Sequence, residues 1–134
     1  MNIVCDANVT VNSVLDFPIA PKLTSLINNA AFIVVPDLYI CEVTNVFWKY
    51  HQFQAMGLQE CERGIDKCLT IPDSIISGTT LAEEAFSLAC LSRHSVYDCF
   101  YLVCARRHNA TLLTMDKALV TAGKKYNIKV EMAG

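Results

Sequence analysis

Short apolar runs alternate along the chain with longer segments in which apolar residues recur at helical spacing. Short runs rich in β-branched residues are typical of buried strands, and the helical spacing is typical of helices that cover a sheet. The pattern predicts strands at Asn2–Cys5, Ala31–Val35, Thr111–Thr114 and Ile128–Met132. It predicts helices at Ala20–Asn29, Leu38–Gln54, Leu58–Cys68, Leu81–Arg93, Ser95–Asn109 and Lys117–Tyr126.

This alternation predicts a single α/β domain over residues 1–134, a three-layer sandwich around a central, mainly parallel sheet. The helical run from Leu38 to Cys68 contains no predicted strand, which indicates a helical arm beside the sheet. After Cys5, the segment from Asp6 to Asn8 is expected to be a helix or a turn. Ile71–Thr80 contains a proline and a glycine and is expected to be a loop.

Composition narrows the class of protein. The chain is 53% hydrophobic and 18% charged with a formal net charge of −2, which is typical of a globular protein and argues against a polybasic nucleic-acid or membrane-surface module. The seven cysteines show no metal-ligand or disulfide spacing, which favours buried thiols in a reducing compartment. No signal peptide or membrane span is expected, so the predicted location is cytoplasmic. The three histidines share no ligand spacing and receive no catalytic role.

Three acids lie where an open parallel sheet places its ligands, beyond the carboxyl ends of the strands. Asp6 follows the first predicted strand and Asp116 follows Thr111–Thr114, while Asp98 lies at the start of a helix. Each of them also has a structural explanation as a helix cap, and Ser95 and Asp98 have the spacing of a capping box.

A fourth acid, Glu42, lies on an apolar stripe of its helix, with Leu38 and Val46 one turn away on either side. An unpaired buried carboxylate costs several kcal/mol or takes up a proton. The structural alternative is an internal ion pair with Lys49, two turns along the same helix.

One hypothesis accounts for all four acids, namely that Asp6, Glu42, Asp98 and Asp116 converge on a divalent cation. Oxygen ligands without a Cys/His pattern favour Mg²⁺ or Mn²⁺. Such ions neutralise a phosphodiester and lower the pKa of a bound water. The pattern therefore indicates the chemistry of a metal-dependent nuclease.

Three segments carry a resemblance to a known family: NIVCDAN, VPDLYICEVTNVFWKY and LAEEAFSLACLSRHSVYDCFYLVCARRHNATLLTMDKAL. They resemble the PIN domain, and within it the toxin ribonucleases of VapC type. The resemblance covers most of the chain apart from residues 52–79. It implies a metal-dependent endoribonuclease, the toxin of a toxin–antitoxin pair, whose four family acids fall on the four residues above. Asp6, Asp98 and Asp116 would hold the metal and Glu42 would orient or deprotonate the attacking water, leaving a 5′ phosphate.

The resemblance also implies supporting roles for Asn8 and Thr114. Many relatives carry a polar residue before the fourth acid, whereas this chain has Met115 there. Basic residues near the acids are candidates for binding the RNA substrate: Lys117, Arg106 and Arg107. For the two arginines, a solvated helix C-terminus that favours cations is the preferred explanation.

Partners are implied as well. Relatives pair as homodimers and are inhibited by an antitoxin whose tail lies beside the helical arm. The aromatic residues of the Leu38–Gln54 helix suit core or interface packing better than base stacking.

Two alternatives remain open. The first is a PIN fold that has lost activity and serves as a binding module. The second is a haloacid-dehalogenase-like phosphatase, because Asp6-Ala7-Asn8-Val9-Thr10 is one residue away from the D-x-D-x-T motif, with Asp6 as nucleophile.

Overall fold

Five strands and seven helices alternate along the chain, which a computed structural model describes from Met1 to Gly134. In chain order they are β1 (Asn2–Cys5), α1 (Ala7–Val14), α2 (Ala20–Asn28), β2 (Phe32–Pro36), α3 (Leu38–Gln54), α4 (Leu58–Thr70), β3 (Ser74–Ile76), α5 (Gly78–Ser92), α6 (Val96–Arg107), β4 (Thr111–Thr114), α7 (Lys117–Tyr126) and β5 (Val130–Met132). All the predicted strands and helices are present, and the segment after Asp6 is a helix.

The strands form one sheet in the order β3-β2-β1-β4-β5, and every neighbouring pair is parallel. Val4 in the central strand pairs with Val34 on one side and with Leu112 on the other. Successive side chains of a strand point to opposite faces. Val4 accordingly joins a large core on one face, whereas Ile3 and Cys5 join a smaller core against α2 on the other. The predicted three-layer α/β sandwich is therefore confirmed.

The prediction that Ile71–Thr80 is entirely a loop is wrong. Ser74–Ile76 forms the edge strand β3, paired with β2 through Val34 and Ser74, and α5 already begins at Gly78. The Oδ2 of Asp73 accepts a hydrogen bond of 2.7 Å from the Ile33 N–H, which holds the start of this strand against β2. Because β3 is three residues long and lies between a proline and a glycine, its own sequence carries little strand signal.

Helices α3 and α4 form the helical arm. They pack closely where Gly64 of α4 meets the ring of Phe47, so closely that an added Cβ would overlap the ring. Tyr39 Oη is buried and donates a hydrogen bond of 2.7 Å to the Cys68 carbonyl, which ties the beginning of α3 to the end of α4. No helix has the length and apolar character needed to cross a membrane.

All seven cysteines are free thiols, and only Cys41 and Cys90 are exposed. Burial, together with the charge of Asp6, raises the pKa of the Cys5 thiol to about 12. The thiolate is the reactive form, so Cys5 is a packing residue of the central strand.

Candidate active site

The four acids lie on elements that meet at the carboxyl edge of the sheet. Asp6 follows β1 directly, and Asp116 lies two residues after the end of β4. Glu42 is in the first turns of α3, which begins just beyond β2. Helix α6 returns the chain to the start of the parallel strand β4, so its first turn, with Asp98, lies at the same edge. The topology brings together residues that are far apart in sequence.

Thr114 connects two of these acids. It is fully buried, its Oγ1 donates a hydrogen bond of 3.1 Å to Asp6 Oδ2, and the same oxygen accepts one of 3.1 Å from the Asp116 N–H. The Asp6 N–H in turn donates to the Leu113 carbonyl at 3.1 Å, which continues the pairing of β1 with β4. Sheet pairing and one hydroxyl thus fix the position of the Asp6 carboxyl group.

The environment of Asp6 disfavours its ionised form. Burial raises the pKa of its carboxyl above the ordinary value, and the charge of Asp98 raises it further. The Thr114 hydroxyl and the backbone of Ala7 and Asn8 act in the opposite direction but do not cancel the shift. A positive charge near Asp6 would lower this pKa again, because it would offset both the burial and the repulsion from Asp98.

Glu42 presents a buried oxygen without a partner. Its Oε1 makes no hydrogen bond, and its pKa is raised by burial and by the charges of Asp6 and Asp98. The Tyr101 phenol favours the ionised form of Glu42 and so lowers its pKa. The buried Oη of Tyr101, however, also makes no hydrogen bond of good geometry. The predicted alternative, an ion pair with Lys49, is wrong because the ion pairs in the structure join Glu84 to arginines only.

At the start of α6, Asp98 can take part in the helix cap and still offer its carboxylate to the site. The Ser95 Oγ accepts a hydrogen bond of 3.1 Å from the Asp98 N–H, so the cap uses the backbone of Asp98 and not its carboxylate. Burial and the charge of Asp116 raise the pKa of the Asp98 carboxyl, against the Ser95 hydroxyl and His94, which lower it.

Asp116 is the most exposed of the four acids and has a structural role. Its Oδ1 accepts a hydrogen bond of 2.9 Å from the Ala118 N–H and caps α7. Met115, before it, is exposed and has only a weak contact of 3.8 Å between its sulfur and Asn12 Nδ2. Nothing at position 115 adds an oxygen ligand to the site.

A cleft of about 530 Å³ opens beside two of the acids. Asp6, Asn8 and Glu42 line one end of it, whereas Asp98 and Asp116 lie outside its lining. The largest cleft, of about 1060 Å³, lies between the end of α1 and α2 and contains none of the four acids. The chemistry of the lining, rather than size, selects the smaller cleft as the candidate active site.

The donor set fits a hard divalent cation, but not as a tight cluster. No three Asp, Glu, His or Cys side chains are grouped so that together they could hold a metal ion. Mg²⁺, however, keeps several waters and binds through one or two carboxylates plus substrate phosphates. The unpaired Glu42 Oε1 and the mutual repulsion of the acids match that requirement. Direct ligation by all of Asp6, Asp98 and Asp116 stays a prediction.

The candidate substrate-binding residues lie in two different places. Lys117 is exposed and follows Asp116 directly at the start of α7. Arg106 and Arg107 end α6, eight and nine residues beyond Asp98 and so about 12 to 14 Å along the helix axis from it. Both arginines pair with Glu84, at 3.4 Å and 3.3 Å, so a role in binding RNA requires them to leave that partner.

Two residues of the site escaped the sequence analysis. Tyr101 lies three positions after Asp98, on the same side of α6, and its phenol was the one polar group of an apolar run. Asn45 lies three positions after Glu42 on α3 and lines the cleft. Helical spacing from each acid was the available signal.

Fold and site together define an α/β protein with an acidic edge suited to a hydrated divalent cation. The model of the PIN domain matches residues 3–125, and the chain belongs to the PIN domain family. This membership leaves the phosphatase hypothesis without support. No match was found among proteins of curated function.

Solved structures share this fold. PAE2754 from Pyrobaculum aerophilum is 18% identical with a TM-score of 0.72, covering 91% of this chain and 87% of that one. VapBC2 from Rickettsia felis, solved bound to a DNA fragment from their promoter, is 18% identical with a TM-score of 0.69, covering 98% of both chains. A toxin–antitoxin complex from Klebsiella pneumoniae is 16% identical with a TM-score of 0.67, again covering 98% of both.

Proposed function

We propose that this protein is a Mg²⁺- or Mn²⁺-dependent endoribonuclease that acts as the toxin of a toxin–antitoxin pair in the cytoplasm. The observation that carries the proposal is the buried, unpaired Oε1 of Glu42, beside Asp6 in a cleft open to solvent. A buried carboxylate with a purely structural role normally accepts hydrogen bonds from other groups of the protein. One that is held without a partner suits a group that acts on a bound water.

Within this proposal each acid has a role. Asp6 and Asp98 would hold the ion directly, and Asp116 would do so directly or through water. The ion, when bound, neutralises the phosphodiester and makes a water more acidic. Glu42 accepts the proton of the attacking water, and its raised pKa brings it nearer to the pH at which a general base is most effective. Thr114 keeps Asp6 in place, and Asn8 lines the cleft beside it.

Cleavage of labelled single-stranded RNA by the purified chain tests the proposal. We expect cleavage with Mg²⁺ or Mn²⁺ that EDTA abolishes, and products that carry a 5′ phosphate. Asp6→Asn and Asp98→Asn should each lower the rate at least about 100-fold with an unchanged circular dichroism spectrum. The matched control is Asp66→Asn, an exposed acid on α4, which should retain full activity.

Other results identify the alternatives. RNA binding without cleavage under any divalent ion indicates the inactive binding module. Release of phosphate from small monoesters, with a phosphoaspartate at position 6, indicates the phosphatase. Equal RNA ends from the wild-type chain and Asp6→Asn overturn the nuclease proposal.

The proposal includes an antitoxin, because the structural neighbour from Klebsiella pneumoniae is a toxin–antitoxin complex by name. Trp48, Phe53 and Leu58 are exposed on the arm, and Trp48 and Leu58 line an apolar groove between α3 and α4. We expect this groove to accept an apolar antitoxin tail. Co-purification with a co-expressed antitoxin, lost in Trp48→Glu but retained in Phe32→Glu at the start of β2, checks it.

We also expect a homodimer, which the family resemblance implies. Phe86, Leu91 and Tyr97 are exposed on α5 and at the start of α6, an apolar surface that a second copy would cover. Light scattering on the purified chain measures the mass, and Leu91→Glu should convert a dimer to a monomer.

A further inference from the structure

The cleft beside Glu42 continues along α3 well beyond the acids. Seven residues of that helix line it at helical spacing: Glu42, Asn45, Val46, Lys49, Tyr50, Phe53 and Gln54. From the first to the last the stripe covers about 18 Å of helix axis. The candidate site is therefore one end of a channel whose floor is a single helix face.

The chemistry of this stripe changes in order along the helix. Both acids of the cleft, Asp6 and Glu42, lie at one end, and Lys49 is its only cation, about 10 Å further along. Lys49 is exposed and pairs with no carboxylate, although Glu42 lies on the same stripe. An unpaired ammonium group in an otherwise uncharged stretch of cleft is available to an anion that arrives from solvent.

Phe53 lies at the far end of the cleft, one turn beyond Lys49. Its side chain is 71% exposed and its ring meets Trp48 edge to face, with centroids 5.9 Å apart. This contact orients the Phe53 ring without covering it. Aromatic faces held open in this way are the surfaces on which unpaired bases stack.

We propose that the α3 channel binds the single strand that flanks the scissile phosphate, with Lys49 on a backbone phosphate and Phe53 stacked on a base. This inference rests on the proposed function and names the part of the chain that holds its substrate. The scissile phosphate lies at the Asp6 and Glu42 end. Lys49 then meets the backbone within about three nucleotides of it, at the 3.4 Å spacing of a stacked strand.

The order of groups favours RNA over a protein tail as the occupant of this channel. A nucleic-acid strand that leaves the acidic end of the channel needs a cation for its phosphates and an aromatic surface for its bases. Along α3, Lys49 and then Phe53 provide these two groups. The apolar groove on the other side of α3, lined by Trp48 and Leu58 but by no lysine, has the chemistry of a peptide site instead.

Binding separated from cleavage tests the inference. Glu42→Gln provides the background, since the amide cannot accept the proton of the attacking water, and binding of fluorescein-labelled single-stranded RNA is followed by anisotropy in Mg²⁺ at several salt concentrations. Adding Lys49→Ala should weaken binding two- to fivefold and reduce the slope of log K against log salt by about 0.7. Lys49→Arg should retain the slope.

Phe53 is tested in the same assay. Phe53→Ala should weaken binding about 5- to 100-fold with an unchanged salt slope, whereas Phe53→Trp retains affinity. Lys129→Ala and Phe32→Ala are the matched controls, an exposed lysine before β5 and an aromatic side chain that is 42% exposed at the start of β2. Neither should change binding.

Failure of this inference is distinct from failure of the proposed function. If the wild-type chain cleaves RNA while Lys49→Ala and Phe53→Ala bind as the background does, the channel is not the strand site. A Phe53→Ala effect on antitoxin affinity alone, without an effect on RNA, also overturns it. If the background binds RNA with the expected changes but the wild-type chain never cleaves, the strand site stands and the nuclease proposal falls.

Discussion

At Glu42 the free energy cost of burying a carboxylate is left uncompensated by the chain itself. Its Oε1 has no hydrogen-bond partner, and neither has the buried Oη of Tyr101, whose phenol favours the ionised form of Glu42. The fold tolerates two unsatisfied buried groups side by side, where most proteins leave few such groups in the whole chain. Single residues at this site are therefore held for their chemistry at the expense of stability.

Replacing Tyr101 with Phe should shift the acid limb of the pH–rate profile to higher pH. The phenol lowers the pKa of Glu42, so its removal raises that pKa further and the base becomes protonated at a higher pH. Stability at neutral pH should fall by less than the roughly 1 kcal/mol of a well-formed hydrogen bond, because the phenol favours the Glu42 carboxylate but makes no hydrogen bond of good geometry. The profile of kcat/KM against pH and urea unfolding measure the two effects.

Tyr39→Phe is the control for this variant. It deletes a buried hydroxyl that does donate a hydrogen bond, to the Cys68 carbonyl, and should cost about 1 kcal/mol of unfolding free energy. The acid limb should stay in place. An equal pH shift in both variants would mean that Tyr101 acts through packing rather than through Glu42.

Replacing Thr114 with Val should destabilise the protein by about 2 kcal/mol at neutral pH. The isosteric side chain neither donates to Asp6 nor accepts from the Asp116 N–H, and both groups lose a partly buried hydrogen bond. Thr114→Ser keeps the hydroxyl and should lose much less. Urea unfolding in EDTA compares the pair; equal losses would indicate that the methyl group, and not the hydroxyl, matters.

Among the elements, α3 combines two functions on two faces. One face carries the Glu42 stripe that lines the cleft, and the other packs Phe47 against Gly64 of α4. The apolar residues of this segment predict a helix from Leu38 to about Gln54, because seventeen residues are enough to show helical spacing. No such signal marks β3, whose three residues become a strand only through pairing with β2. The structure of a long helix can be predicted from its own sequence, whereas that of a short edge strand depends on pairing with its neighbour.

The same distinction applies to the site. Asp6, Asp98 and Asp116 were predictable as candidates because strand ends and helix starts can be read from the sequence. The Tyr101 contact with Glu42 was not, since it depends on how α6 and α3 face each other across the sheet edge. The engagement of Arg106 by Glu84 was hidden for the same reason, because it joins two helices.

Replacing Gly64 with Ala should destabilise the helical arm by about 1–3 kcal/mol, despite the better helix propensity of alanine. The new methyl group would meet the buried ring of Phe47, which cannot move without disturbing the core. Gly57→Ala is the control: a Cβ there meets nothing within 4 Å, and stability should change by no more than about 0.5 kcal/mol. Thermal and urea unfolding check both.

At the scale of the whole molecule, the acidic edge makes stability depend on pH and on divalent ions. The pKa values of Asp6, Glu42 and Asp98 are all raised by folding. Within the window above their ordinary values of 3.8 and 4.5, the folded state binds more protons than the unfolded state. The contribution of these groups to the free energy of unfolding is therefore full at low pH and is lost as pH rises.

Wild-type protein in EDTA should accordingly lose more stability from pH 4 to pH 7 than Asp6→Asn does, since the amide removes one of the three charges. Mg²⁺ should restore stability to the wild type, by about 2.7 kcal/mol at one hundred times its dissociation constant, and should restore far less to Asp6→Asn. Thermal unfolding with and without Mg²⁺ measures both effects. A melting temperature independent of Mg²⁺ in both chains would contradict a metal site at this edge.

The central position of β1, between β2 and β4, has a consequence for the chain during its synthesis. Asp6 leaves the ribosome 110 residues ahead of Asp116, from 116 − 6, and β1 lacks its second neighbour until β4 has been made. At translation rates of about 5–20 residues per second this interval lasts roughly 5 to 20 seconds. Throughout that time the nascent polypeptide cannot assemble its acidic edge, so any activity that needs all four acids begins only when nearly the whole chain has been made.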